Sequence, residues 1–212
     1  MTRRAPTGAA LLQPAVTKAI TESVLAEWAE NGYARLSMEA VAKRAGVGKS
    51  ALYRRWPSKQ EMAMSVIADF SVTRAATPDT GSLRGDLREA LDSLHAWLTD
   101  EHFARILPDL VAETARNPEL GEFVKDMIGT PRREHSAAML HRAAERGELA
   151  PDADLELVQD LIASPLYWRL SVRGAAAEPD YLDKLTDLIL RSISTIHSGP
   201  RGSEPPTATG SA

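Results

Sequence analysis

Apolar residues fall three and four positions apart along most of this 212-residue chain, and no stretch alternates apolar with polar residues as a half-buried strand must. That periodicity restricts the chain to helices packed on helices. Ile20, Val24 and Trp28 share one stripe with Leu25 beside it, and Asn31-Gly32 supplies a stop. Ser37 is placed to cap a second helix that ends at Gly46, although Ala40 stands where the reciprocal Glu of a capping box would be. A third helix over residues 48–56 cannot pass Pro57, which lacks an amide hydrogen. Ser58 with Glu61 forms a complete capping box and opens a fourth helix reaching about Arg74. Beyond a turn-rich loop, Ser82 caps a helix carrying Leu87, Leu91, Leu94 and Leu98, and another helix covers residues 103–116. Asn117-Pro118 starts the next, which is interrupted at Gly129-Thr130-Pro131 and closed by Gly147. Residues 153–172 and 179–197 are two further amphipathic segments, the first bent at Pro165.

Residues 41–56 have the spacing of a helix-turn-helix. Val41, Ala45, Val47 and Leu52 supply its small core, Ala42 lets the two helices approach, and Gly46 permits the backbone turn. At 100° per residue, Leu52 and Trp56 point inward, leaving Ser50, Ala51, Tyr53, Arg54 and Arg55 on the opposite arc with Lys49 at the helix start. That arc carries no acid of its own. A major groove admits one helix, and Arg or Lys are the usual partners of guanine there.

Charge is distributed in the same sense. Residues 1–60 hold ten Lys or Arg against four acids, an excess of six, so with a net charge of −4 the remainder carries −10. A basic end joined to an acidic body suits one face that meets a polyanion and another that avoids it. With no cysteine, disulfide scaffolds, zinc ribbons and cysteine nucleophiles are excluded. The five histidines, His95, His102, His135, His141 and His197, lack zinc-helix spacing, and no nucleophile elbow or phosphate-cradling glycine loop occurs. Neither an enzyme nor a cofactor or metal requirement is expected. No apolar run approaches the roughly 18 residues that span a bilayer, and Pro14 and Lys18 break the short apolar stretch after Arg3 and Arg4, so no membrane partner and a cytoplasmic location are expected.

The stretch Gly32-Tyr33, Leu36-Ser37-Met38, Val41-Ala42, Ala45-Gly46-Val47, Leu52-Tyr53 and Trp56-Pro57-Ser58-Lys59 resembles the DNA-binding module of the tetracycline-repressor (TetR) family. By that resemblance Ser37, Tyr53 and Lys59 correspond to phosphate contacts, and Lys49, Ser50, Ala51, Arg54 and Arg55 occupy positions from which bases are read. Gly48 stands where a capping Ser or Thr is usual, Arg54-Arg55 replaces a frequent histidine, and Trp56 replaces a common Phe, so base preference does not transfer. The body is similar to one of the family's C-terminal types mainly at Gly147-Glu148-Leu149 and Ser164-Pro165-Leu166-Tyr167.

The resemblance implies a ligand-responsive regulator, a repressor that binds a double-stranded DNA operator as a homodimer and leaves it when a small apolar or amphipathic effector enters the body. The same fold acting without an effector is the alternative, and a helical enzyme the distant one. The expected organisation is all-α: a basic arm (residues 1–13), a three-helix DNA-binding domain (14–60), an effector-binding and dimerisation domain (61–197) and a disordered tail (198–212), which has no large apolar residue. Two stripes are candidates for the dimer seam: Leu155, Val158, Ile162 and Leu166, and Tyr181, Leu185, Leu188, Ile189, Ser192 and Ile196. Trp97, Phe103, Leu107, Phe123, Met127, Tyr167 and Trp168 are candidates for the effector pocket, since large or adaptable side chains line most such sites.

Overall fold

A computed structural model describes residues 14–193, and every regular element among them is helical. The elements are α1 (Pro14–Arg35), α2 (Met38–Ala45), α3 (Lys49–Tyr53), α4 (Lys59–Thr73), α5 (Leu83–Leu98), α6 (Phe103–Arg116), α7 (Pro118–Val124), α8 (Thr130–Glu145), α9 (Leu155–Tyr167) and α10 (Pro179–Ile193). The serine and asparagine caps expected from sequence form, although Glu61 accepts from the Ser58 hydroxyl rather than closing the box on the Ser58 amide, and Asp154 adds a cap that the sequence reading did not mark. Ser37, Ser58, Ser82 and Asn117 each accept a hydrogen bond from the amide three residues on, and Asp154 accepts from Glu156 and Leu157. The proposed arm at 1–13 and tail at 198–212, with Ile196, lie outside the described residues.

Three differences from the periodicity have physical reasons. Gly32, at φ 76°, breaks α1 before a last turn to Arg35. The break at residue 129 is a π-helical turn, Lys125–Gly129, that joins α7 to α8 without a loop. Pro165 is accommodated within α9, which widens into a second π-turn at Trp168–Val172.

Two apolar clusters hold the helices together. The first begins in α1 with Ile20, Val24 and Trp28, takes in Val41 and Leu52, and continues through Met62 and Ile67 of α4 to Phe103, Ile106 and Leu110 of α6. A division between residues 60 and 61 therefore falls in the first turn of α4 and cuts through one continuous core. The second cluster packs Leu83, Leu87 and Leu91 of α5 against Met139, Leu140 and Ala143 of α8, Val158 and Ile162 of α9, and Leu185, Ile189 and Ile193 of α10.

This second cluster corrects the expected dimer seam. Val158, Ile162, Leu185 and Ile189 are buried against their own chain, and Leu166 is buried in the first cluster, so a partner has no access to them. Leu155 also packs against the second cluster. The stripes looked available because periodicity marks an apolar face without saying what covers it. Leu188 and Ser192 remain exposed and Tyr181 half-buried.

Candidate nucleic-acid interface

The α2–α3 turn is built on backbone conformation. Gly46 adopts φ 67° with nothing near the position of a Cβ, so what the site requires is left-handed backbone rather than space. Its N–H bonds Lys43 at 3.3 Å, and Val47 N–H returns to the Ala42 carbonyl at 3.0 Å, closing α2. Leu52, fully buried, anchors α3 in the same core that holds Val41 and Ala42 of α2. Because Gly48 offers no side-chain cap, the five-residue α3 is held by this anchor and the turn rather than by its own terminus.

Lys49, Ser50, Tyr53 and Arg54 are exposed on the outer side of α3, and Ala51 is half-buried. Tyr53 is 52% exposed, which for a phenol on a helix with a buried Leu neighbour places it on the outside. One expectation needs correction. Arg55 does not join the outer arc: the last turn tightens, Arg55 N–H bonding the Leu52 carbonyl at 2.9 Å. Its guanidinium then donates to Thr17 Oγ1 of α1 at 2.7 Å, with Cζ 5.3 Å from the centre of the Trp56 ring. The arc itself carries no acid, but one from the neighbouring helix reaches the start of α3. Glu39, from α2, pairs with Lys49, and that ammonium holds the carboxyl below its usual pKa.

Ser37 Oγ accepts from Ala40 N–H at 3.1 Å, which leaves its own O–H to donate to a phosphate. Lys59 is more committed. Its ammonium donates to the Tyr33 carbonyl at 2.9 Å and the Ala34 carbonyl at 3.4 Å, 4.5 Å from the Tyr33 ring centre, so it caps α1 from the start of α4.

The charge excess can now be located. All four acids of residues 1–60 are paired: Glu22 with Lys18, Glu27 and Glu30 with Arg44, and Glu39 with Lys49. Among the described residues no carboxylate lies within 4 Å of Arg35, Lys43 or Arg54, and all three are exposed. Arg35 and Lys43 therefore join the basic surface; the charge sum contained them, but helical spacing on the third helix alone did not.

The body contributes a residue that sequence reasoning missed. Asp109 of α6 accepts from Trp28 Nε1 and from Tyr33 N–H, both at 2.7 Å, and so ties α1 to α6. No local pattern announces a bond between residues 81 positions apart.

The seven residues expected around an effector do not share one environment. Phe103 is buried in a stack, its ring centre 4.3 Å from that of Trp97 and 5.8 Å from that of Phe70. Leu107, Phe123 and Tyr167 are half-buried against the first core, and Trp168 and Met127 are 58% and 47% exposed. Phe123 and Met127 border an open groove of about 600 Å³ with Trp56, Ser65 and Val72.

Family models match both parts of the chain: "Bacterial regulatory proteins, tetR family" over residues 20–66, and "Tetracyclin repressor-like, C-terminal domain" over residues 77–189. The HTH-type transcriptional regulator Rv1556 of Mycobacterium tuberculosis is 32% identical, the match covering 78% of this chain and 81% of the relative. The DNA-binding transcriptional repressor TetR of Mycobacteroides abscessus is 29% identical, covering 76% and 84%. Among solved structures, the TetR-family regulator SCO0332 superposes with a TM-score of 0.66 at 28% identity, covering 82% of this chain and 96% of that one. FadR of Bacillus subtilis in complex with stearoyl-CoA shares the fold, with a TM-score of 0.66 at 17% identity over 84% and 98%.

Proposed function

Since the chain belongs to the TetR family and is a DNA-binding transcriptional regulator, not an enzyme, we propose that it is a homodimeric repressor released from its operator by a small-molecule effector. The observation that carries the DNA-binding part is the exposed set Lys49, Ser50, Tyr53 and Arg54 on a helix anchored by fully buried Leu52. Within it Arg54 is assigned to base edges, Ser37 and Tyr53 to phosphates, and Arg35 and Lys43 to the flanking backbone. Lys59 serves the interface by fixing the angle between α1 and α4. The DNA-binding domain is taken as residues 14–60, with α4 as the element it shares with the effector and dimerisation domain.

Regulators of this family act as dimers. For this chain the seam is assigned to the outward side of the last two helices, where Leu157, Trp168, Val172 and Leu188 remain exposed. Repression is favoured by the name of the M. abscessus relative, and response to a ligand by the stearoyl-CoA complex of FadR. A reading without an effector draws on the filled Phe70–Phe103–Trp97 stack, where a pocket was expected.

Selection of bound genomic fragments by the purified protein, followed by a screen for compounds that release them, tests the proposal. The expected result is a two-fold-related site whose complex dissociates with a ligand. By linkage, operator DNA weakens that ligand by the same factor, a tenfold effect corresponding to about 1.4 kcal/mol. Fragments without a shared site would overturn the operator-binding assignment.

A further inference from the structure

Arg132 of α8 is a charge without a counter-charge. Arg88, Arg142 and Arg146 of the body each meet a carboxylate, Asp183, Asp79 and Asp86, whereas Arg169, which does not line the cavity beside Arg132, bonds the Ala176 carbonyl over the Tyr181 ring. Arg132 has no carboxylate within 4 Å among the described residues. Its Cζ lies 3.9 Å from the centre of the Trp97 ring, and Nη1 donates to the Ser71 carbonyl at 2.7 Å. Among the described residues Nε and Nη2 donate to no protein group, and both reach solvent. Burial alone pulls its pKa down to about 10, which still leaves it charged at neutral pH. An ion half withdrawn from water without a counter-ion loses part of its hydration with no charge to replace it.

The same arginine lines a cavity of about 110 Å³ between α5, α8 and α9, whose other walls include Ala90, Leu94, Ser136, Gln159 and Ile162. Gln159 Oε1 is buried there with no donor, and the amide turned over would present its NH₂ instead. Apolar walls, unpartnered guanidinium donors and a reversible amide form a receptor for an anion with a short apolar tail. A carboxylate accepts two guanidinium N–H groups side by side, whereas a neutral ligand leaves the charge uncompensated. The volume falls below the roughly 150 Å³ of a cavity that takes benzene, which limits the ligand to about four to six non-hydrogen atoms.

We propose that this cavity is the effector site and that it takes a small monocarboxylate, between acetate and butyrate in size, through Arg132. The inference rests on the reading of the body as effector-binding. It also supplies a route to DNA. Ser71 lies in the last turn of α4, the helix that follows the recognition helix, so an anion that takes Nε and Nη2 and draws the guanidinium toward itself stretches the Nη1–Ser71 tie at the far end of α4.

The test is calorimetric titration of the full chain, without DNA, with acetate, propionate, butyrate, octanoate and butyramide. Saturable binding of propionate or butyrate, at least tenfold tighter than butyramide, is expected. Arg132→Gln should weaken it at least tenfold. Ala163→Leu, at an exposed wall of the cavity, should do the same while leaving Arg132 and the melting temperature in place. Should Arg132→Gln fail to fold, Ala163→Leu and the butyrate–butyramide comparison decide. Equal binding of butyrate and butyramide, octanoate binding tighter than butyrate, or butyrate binding unchanged by the variants overturns the inference. Because binding is read without DNA, such a failure leaves the operator reading standing, and a failed fragment selection leaves this one.

Discussion

Two carboxylates in the body fix backbone that no helix satisfies, and their environments set different tests. Asp109 takes the Tyr33 amide that the positive φ of Gly32 leaves outside α1, and the indole N–H of Trp28, which is 1% exposed. Asp109→Ala leaves both donors unpaired; at about 1 to 3 kcal/mol for each buried group, a loss of about 2 to 4 kcal/mol is expected in urea unfolding. Asp109→Asn, which keeps an acceptor, is expected to lose less, and equal losses would mean that charge rather than acceptance holds the tie. Asp86 is fully buried, and burial pushes its carboxyl up. Hydrogen bonds from Thr80 N–H and Oγ1, both 2.7 Å, and from Arg146 at 3.0 Å outweigh that and leave it below the usual value. A depressed folded pKa gives stability that is complete at neutral pH, begins to fall below the unfolded value of about 3.9, and is lost as pH drops through the folded pKa. Acid titration of thermal unfolding should therefore show a steeper decline below about pH 4 in the native chain than in Asp86→Asn, which starts less stable at pH 7. Parallel curves would contradict the assignment.

At the scale of the element, α3 separates two arginines that are adjacent in sequence. Arg54 has no partner among the described residues, while Arg55 bonds Thr17 and lies against Trp56. Arg54→Ala should lower affinity for the selected operator by about 1 to 3 kcal/mol and affect random duplex much less, as expected for a bidentate contact to a base. Arg55→Ala should weaken both duplexes alike, because it loosens α3 on α1. Anisotropy titrations at one fixed salt concentration distinguish these outcomes, and the reverse assignment of the two side chains would show as the reverse pattern. Sequence alone made the helices, four N-terminal caps and the Gly46 turn legible, since each depends on residues within one or two turns of one another. The tightened end of α3 was not legible, because 100° per residue assumes an ideal helix through Arg55. Nor was the reach of Glu39 to Lys49, or of Asp109 to Trp28, since both depend on how separate helices pack. Val158, Ile162, Leu185 and Ile189 show the same limit from the other side: their stripes are apolar as read, but the chain covers them itself.

For the whole molecule, the question is which surface a second copy covers. Seven large apolar side chains stay exposed among the described residues, and four of them, Leu157, Trp168, Val172 and Leu188, belong to α9, its terminal π-turn and α10. On α9, Leu157, Leu161, Ser164 and Trp168 are spaced four, three and four apart and so form one side of the helix, away from buried Val158 and Ile162. On α10, exposed Leu188 is turned about 60° from buried Leu185 and about 100° from buried Ile189, with Tyr181 and Ser192 at the border of the buried face. Packing these sides against a two-fold-related copy would form an isologous four-helix seam. A carboxylate placed there loses its water in the dimer and keeps it in the monomer, so Leu157→Asp with Leu188→Asp should give a folded monomer by sedimentation velocity. Leu185→Asp instead buries a charge in the second core and should unfold the chain, which separates the seam from the interior. The double variant also bears on DNA. Two recognition helices on one dimer reach neighbouring major-groove turns about 34 Å apart, and the second then binds at the high effective concentration set by the first. Operator affinity of the folded monomer should therefore fall by about 10²- to 10⁴-fold, while its far weaker binding to a single half-site stays that of the native chain. An intact dimer in that double variant would move the seam to another face, and a monomer with undiminished operator affinity would remove the need for one.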